Sequence, residues 1–291
     1  MLKRVSIGSR IFDIINYALL GLIALVMFLP FIHVVGSSFA TSAEIAETSF
    51  LLFPTEFSLD AYRYIFSTDT IFKALLVSVI VTVGGTLWSM FLSTLTAYGL
   101  SRRDLLGRRY FNFLIVFTML FSGGMIPTFL VVEQTGLLNS LWALVIPVSI
   151  NAFNMIILRS FFMNLPDGLE ESAKIDGAND FSILFRIVIP LSLPAIATIS
   201  LFYAVTYWNT YMHAILYLSD AAKWPVQVLL RQIVVLASGM NYDGASFTDV
   251  PPPEVTVKMA TIVVATVPVL LVYPFLQKYF TKGALLGSVK G

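Results

Sequence analysis

Six stretches of this chain contain no Asp, Glu, Lys or Arg: Ile14–Ala43, Ala74–Ser101, Tyr110–Val132, Gln134–Leu158, Ile187–Ser219 and Met259–Gln277. Each is near or above the roughly 20 residues that a helix needs to cross the hydrocarbon of a bilayer. The rest of the composition agrees, with 57% hydrophobic residues, 12% charged residues and a mean hydropathy of +0.85. Such a chain is an integral membrane protein. The fifth stretch is too long for one crossing, so Pro190 and Pro194 are placed at the surface and the crossing itself starts near Ala195. The expectation is an all-α membrane protein with six transmembrane helices in one domain, 1–291. The spans fall at about 13–35, 74–99, 110–132, 140–159, 195–212 and 259–277. Lys3, Arg4 and Arg10 before the first span mimic a signal peptide, but the apolar run is too long for one and five more follow. It reads as a retained span.

Orientation follows from the basic residues. With the N-terminus inside, inner segments hold thirteen of the eighteen Lys and Arg and outer segments five, Arg63, Lys73, Lys223, Arg231 and Lys258. Positive residues stay on the cytoplasmic side. Both termini and the loops Ser101–Tyr110 and Leu165–Arg186 are therefore expected inside. The run SRRDLLGRRY at Ser101–Tyr110 reads as a topology anchor. Two outer segments, Gly36–Phe72 and His213–Lys258, are longer than turns. The second holds a Pro251-Pro252-Pro253 run and an apolar piece, Trp224–Leu236, that suits a short helix at the interface.

Several chemistries are excluded. A net charge of +1 gives no electrostatic case for nucleic acid. The absence of cysteine removes disulfides and thiolate sites. There is no phosphate-cradling G-x-x-x-x-G-K-[ST], no H-E-x-x-H and no G-x-S-x-G. His33 and His213 sit near span ends and read as packing residues. No ionisable residue lies in the middle of a span, where ion-coupled carriers place carboxylates. Energy for transport would then come from another subunit.

The most informative stretch is Leu165–Pro194, LPDGLEESAKIDGANDFSILFRIVIPLSLP. It reads as two short helices joined by a turn. Asp167 is the expected cap of the first, with Glu170 three residues on as in a capping box. Asp176-Gly177 is the stop, with Gly177 at positive φ. Asn179 or Asp180 starts the second helix. Phe181, Leu184, Phe185 and Val188 form its expected apolar face.

Glu171-Ser172-Ala173, Asp176-Gly177-Ala178, and then Ile187, Pro190 and Pro194 resemble the EAA loop of ABC-importer permeases. The pattern is similar to the carbohydrate branch, the MalG-like family, and within it the LplC-type oligosaccharide permeases. The C-terminal Lys278-Tyr279-Phe280, Lys282-Gly283, Gly287 and Val289-Lys290-Gly291 resemble the same branch, as does Trp208-Asn209. One departure is Ser172, where the family usually has Ala.

The resemblance implies a type I importer permease fold. Loop 165–194 would be a cytoplasmic coupling loop, with Glu170, Glu171, Ala173, Asp176, Gly177 and Ala178 contacting the ATPase. It implies a second, homologous permease, two ABC ATPase subunits, an extracytoplasmic solute-binding protein and a carbohydrate substrate. The chain itself would be non-catalytic and bind no cofactor, ATP and Mg2+ being used by the ATPases. It would sit in the plasma or inner membrane, in contact with lipid and with no nucleic acid. The subgroup leans toward oligosaccharides from complex polysaccharides, such as pectic, alginate-like or other heteroglycan fragments, over maltodextrin. Rival readings are a permease for another polar solute, a stand-alone secondary carrier, or a membrane-embedded enzyme or assembly subunit.

Sugars are held by aromatic faces, amides and hydroxyls. Tyr203, Tyr207 and Tyr211 make one stripe of the fifth span, and Asn151 and Asn154 share a face of the fourth. The substrate-pathway candidates are Asn151, Asn154, Tyr203, Tyr207, Trp208 and Asn209. Interface anchoring competes for the aromatics and is preferred for Tyr211. Asn209 also reads as structural. Gly84-Gly85 and Gly123-Gly124 are expected at close helix approaches.

Overall fold

The computed structural model describes residues 7–48, 50–237 and 255–288, and no strand occurs among them. Lys3, Arg4, the Pro251-Pro252-Pro253 run and Val289-Lys290-Gly291 lie outside the described residues. The chain divides into two compact units, Met1–Asp69 with Leu230–Val267, and Thr70–Leu229 with Pro268–Gly291.

In the first unit, α1 (Ile7–Ser38) is apolar along its length, and none of its most apolar window is buried inside this chain. Two short helices follow, α2 (Ser42–Glu47) and α3 (Asp60–Phe66). Thr41 caps α2 by accepting from the Glu44 N–H. The Glu44 carboxylate folds the following loop back on α2. It accepts from the Thr55 N–H and O–H, both at 2.8 Å, and those bonds hold its pKa below the ordinary value. His33 stacks on Phe50 at 4.6 Å and hydrogen-bonds the Leu51 backbone, a packing role as expected.

The second unit starts with α4 (Asp69–Ser101), one uninterrupted helix of 33 residues. Then come α5 (Arg108–Leu120), α6 (Met125–Gln134), α7 (Trp142–Val145) and α8 (Ala152–Met163). The loop helices are α9 (Asp167–Ile175), α10 (Asp180–Ile183) and α11 (Ile189–Leu191), with a π-helical turn at Leu184–Val188 between the last two. They lead into α12 (Leu193–Trp208) and α13 (Met212–Tyr217). The chain continues through α14 (Val226–Ala237), which falls where a short helix was expected, to α15 (Val255–Ser288).

Among the described residues three helices are long and apolar enough to cross a membrane: Gly8–Ser38, Asp69–Ser101 and Val255–Pro274. The count rises to six if each of three bent pairs is one span. The stretches 110–132 and 140–159 are thus not single helices. α5 and α6 meet at 115°. The break is Phe121–Gly124, where Gly124 takes φ 87. A Cβ on Gly123 would meet only Pro127 at 3.9 Å and one on Gly124 would meet nothing. That pair serves the bend, not the close helix contact expected of it. Trp142–Val148 and α8 meet at 55° around Pro147 and the cap residue Asn151. The segment Asp180–Leu191 and α12 meet at 86° at Ser192, between Pro190 and Pro194. Proline lacks the N–H that would continue the helix.

Lipid is as apolar as a leucine side chain, so helices adhere through packing and hydrogen bonds. α4 supplies both to α12. Gly85, Ser89, Ser93 and Ala97 recur every four residues along α4 and are all buried. At Gly85 the backbone passes so close to Tyr207 that an added Cβ would lie 2.8 Å from the ring.

Candidate functional site

The loop 165–194 is built almost entirely by local rules. α9 ends in a Schellman motif: the Ala178 N–H donates to the Ala173 carbonyl at 2.9 Å and the Gly177 N–H to the Lys174 carbonyl at 3.0 Å. Gly177 takes φ 82, as expected of it. Asn179 caps α10, its Oδ1 accepting from the Ser182 N–H at 2.8 Å. Two expectations are corrected. The residue at the cap position of α9 is Pro166, and Asp167 is already helical. Glu170 does not close a capping box; it pairs with Arg102. The apolar face of the second helix is also redrawn. Ile183, Leu184 and Val188 are buried, while Phe181 and Phe185 are exposed. A π turn rotates the chain by less per residue than an α-helix, which brings Leu184 and Val188 nearly into line and leaves Phe185 off that face.

Of the remaining loop candidates, Glu171, Asp176 and Gly177 are exposed, Ala173 is buried and Ala178 packs on the core. Ile175 is 86% exposed and Phe181 67%. Together with Glu171 they give the loop exposed apolar and acidic side chains that none of the described residues covers.

From beneath, the loop is held by Arg102, the residue just after α4. Its guanidinium pairs with Glu170 of α9, lies 3.3 Å from Asp180 of α10, and sits 4.3 Å from the centroid of the Tyr98 ring of α4. Arg159 of α8 donates to the Leu100 carbonyl at 3.0 Å, one of the orphan acceptors at the end of α4. A pocket of 280 Å3 opens beside this cluster, lined by Arg102, Arg103, Phe162, Glu170 and Glu171 among others. Sequence reasoning missed the partnership of Arg102, because its basic run reads equally well as a topology anchor.

The pathway candidates fall into two groups. Tyr203 and Tyr207 are each 1% exposed. Their hydroxyls reach α4, Tyr203 to Ser93 and Tyr207 to Ser89, both at 2.7 Å. They also serve the break in the fourth stretch. The Asn151 N–H donates to the Tyr203 hydroxyl at 2.9 Å, and the Tyr207 hydroxyl donates to the Val145 carbonyl at 3.4 Å. Two backbone groups exposed by the bend are thereby satisfied, as buried polar groups must be. Trp208 and Asn154 are buried nearby in sequence. Asn151 caps α8, its Oδ1 accepting from the Asn154 N–H, and Asn209 ends α12 with its Nδ2 donating to the Val205 carbonyl. Both asparagines are exposed. Tyr211 is half-buried, and His213 stacks on Tyr217. Among the described residues no group of three acidic or histidine side chains could hold a metal.

Residues 89–285 match the family of binding-protein-dependent transport system inner membrane components. The chain belongs to that family. It is an integral inner-membrane permease subunit of an ABC transporter, non-catalytic itself, and works with a partner permease, an ATPase and a solute-binding protein. The matched region takes in the end of α4, loop 165–194 and α12. This permease is 69% identical to the polygalacturonan/rhamnogalacturonan transport system permease protein YtcP of Bacillus subtilis (strain 168), over 97% of this chain and 99% of that protein. It is 50% identical to protein LplC of the same organism, over 98% and 96% of the two chains. A crystal structure of a bacterial ABC transporter involved in the import of the acidic polysaccharide alginate contains a chain that superposes with a TM-score of 0.86. That chain is 37% identical, with 94% of this permease and 98% of the other chain covered.

Proposed function

We propose that this permease forms one half of the membrane route of an importer for oligosaccharides derived from acidic polysaccharides, pectic or alginate-like. The names of the similar proteins support that substrate class. In this reading the first two bent pairs are one span each and α12 alone is the fifth crossing, giving six in a single permease domain. Both termini and the loops 101–110 and 165–194 face the cytoplasm, as the basic residues favour. A second permease completes the route, a solute-binding protein delivers sugar from outside, and two ATPases use ATP and Mg2+. This chain needs no cofactor of its own.

Loop 165–194 docks the ATPase. The observation that carries this is the uncovered surface of Ile175, Phe181 and Glu171 on a pair of helices whose other side is anchored in the core through Ile183, Leu184 and Val188. Such a patch is apolar enough to pack against a partner and acidic enough to orient it. Movement of the docked ATPase then passes through the π turn and α11 into α12. Within the pathway set, Asn151 and Asn209 are the members with surface to offer a sugar. Tyr203 and Tyr207 act one layer behind, holding α12 on α4.

Gly177→Arg tests the docking reading. A β-carbon at φ 82 costs about 1 kcal/mol, and a long cation would enter the docking surface. The purified complex in lipid is expected to lose ATPase during purification, or to lose the stimulation of ATP hydrolysis by binding protein and sugar. Full retention of both would remove the loop from the coupling path. Substrate class is tested by adding defined oligogalacturonides, alginate fragments and neutral oligosaccharides with the cognate binding protein. Stimulation by neutral sugars alone would overturn it.

A further inference from the structure

Of the two helices that grip each other in the second unit, only α12 is joined to loop 165–194 by the chain itself. α4 is not, and an ATPase pushing on the loop reaches α4 only through side chains. We propose that Arg102 is the positioning residue that carries the movement of the loop into α4, so that α4 and α12 move as one piece. The proposal rests on the coupling role given to the loop above.

The geometry is specific to an arginine. One guanidinium meets a carboxylate from each loop helix, Glu170 and Asp180, while it lies against the Tyr98 ring one turn back on α4. A planar, five-donor fork can meet two carboxylates while lying flat on a ring, whereas a lysine ammonium is a compact point charge with no flat face to stack. The Arg102 side chain is 15% exposed and Glu170 25%, so water screens this pair weakly; Asp180 is 65% exposed and holds less firmly. Glu170 is therefore the main grip and Asp180 the second. A further tie runs from Lys174 of α9 to Asp180 at 3.9 Å, which keeps the two loop helices together as they are pulled. The alternative is that Arg102 only contributes positive charge to fix orientation in the membrane. A lysine would do that equally well, which makes Arg102→Lys the decisive substitution.

The experiment uses the whole complex in lipid nanodiscs, with its ATPases, and measures the ratio of ATP hydrolysis with and without binding protein and oligosaccharide. Arg102→Lys and Arg102→Gln should each keep the ATPase bound and lower the stimulation ratio about tenfold, within the usual size of a coupling between two sites. Arg102→Gln combined with Glu170→Gln should be no worse than the worse single change, because the two residues act through one contact. Full stimulation in Arg102→Lys, or additive losses in the double variant, overturns the proposal. Should the neutral variants fail to assemble, the cysteine-free chain allows a second route. Arg102→Cys with Glu170→Cys, bridged by a short reducible bis-methanethiosulfonate, should regain stimulation and lose it on reduction. A bridged complex that stays unstimulated counts against the proposal. Gly177→Arg in parallel separates the failures. If it stays fully coupled, the role of the loop is wrong; if it uncouples while Arg102→Lys does not, only the role of Arg102 is.

Discussion

α4 is tied to its neighbours in two chemically opposite ways. At its last turn the tie is ionic: Arg102, Glu170 and Asp180, partly wetted, at the end of a span. About two and a half to three and a half turns earlier it is neutral: Ser89 and Ser93 against Tyr207 and Tyr203, fully buried, with no formal charge. The difference follows from the surroundings. Desolvating a charge in the middle of a bilayer is expensive, whereas a hydroxyl loses little once it has a partner. It also separates two jobs. The neutral ladder closes over backbone groups that a bent span leaves open, so it belongs to stability. The ionic cluster lies in a layer where water assists and can re-form there; in the proposed reading it serves coupling.

The largest expected effect is on the neutral side. Gly85→Leu drives a side chain into the Tyr207 ring where even a Cβ lies at 2.8 Å. A loss of about 3 kcal/mol is expected from overpacking. It should appear as aggregated protein on size-exclusion chromatography in detergent, and a monodisperse variant with unchanged thermal stability would mean the helices do not meet this closely. Tyr203→Phe and Tyr207→Phe keep the rings and delete the hydroxyls, for about 1 kcal/mol each. Melting temperature should fall while the stimulation ratio of the intact complex is preserved. A lowered ratio at unchanged melting temperature would erase the division of labour. Smallest is Asp180→Asn, which removes the exposed arm of the ionic cluster, worth under about 1 kcal/mol. It should reduce stimulation slightly, and more at low salt than at high salt, with no change in melting temperature.

What the sequence disclosed, and what it hid, follows the range of the interactions. Asp176-Gly177 stops a helix because a backbone turn needs a residue free to take positive φ, and Asn179 caps because its side chain reaches its own helix; both are settled within a few residues. The charge-free stretches are legible for the same reason, since lipid judges each segment separately. Ser89 and Ser93 carried no signal as single residues, since their partners lie more than a hundred positions away. A clue existed in the four-residue recurrence of Gly85, Ser89, Ser93 and Ala97. Glu170 reads as a cap because the local spacing is legible, whereas Arg102, its actual partner, lies dozens of positions away. Tyr203 and Tyr207 read as pathway residues from sequence because an aromatic stripe looks the same whether it faces a cavity or, as their hydroxyls do here, a row of serines. The bends at 121–124 and 146–151 were hidden by hydropathy, which scores a broken apolar run and a straight one alike.

The uncharged ladder has an electrical consequence. Carrying one elementary charge through the membrane potential involves about 2.3 kcal/mol per 100 mV. With no Asp, Glu, Lys or Arg inside the six charge-free stretches, helices that slide or tilt here move no formal charge of their own through the field. Movements of this subunit should therefore add no voltage dependence of their own to the cycle, which is checked by comparing the rate of the empty transporter in energised and de-energised membranes. In the proposed reading the field acts on the cargo: each carboxylate of an acidic oligosaccharide would be opposed by a negative interior, and the ATPases would supply that work in proportion to the number of uronate units imported.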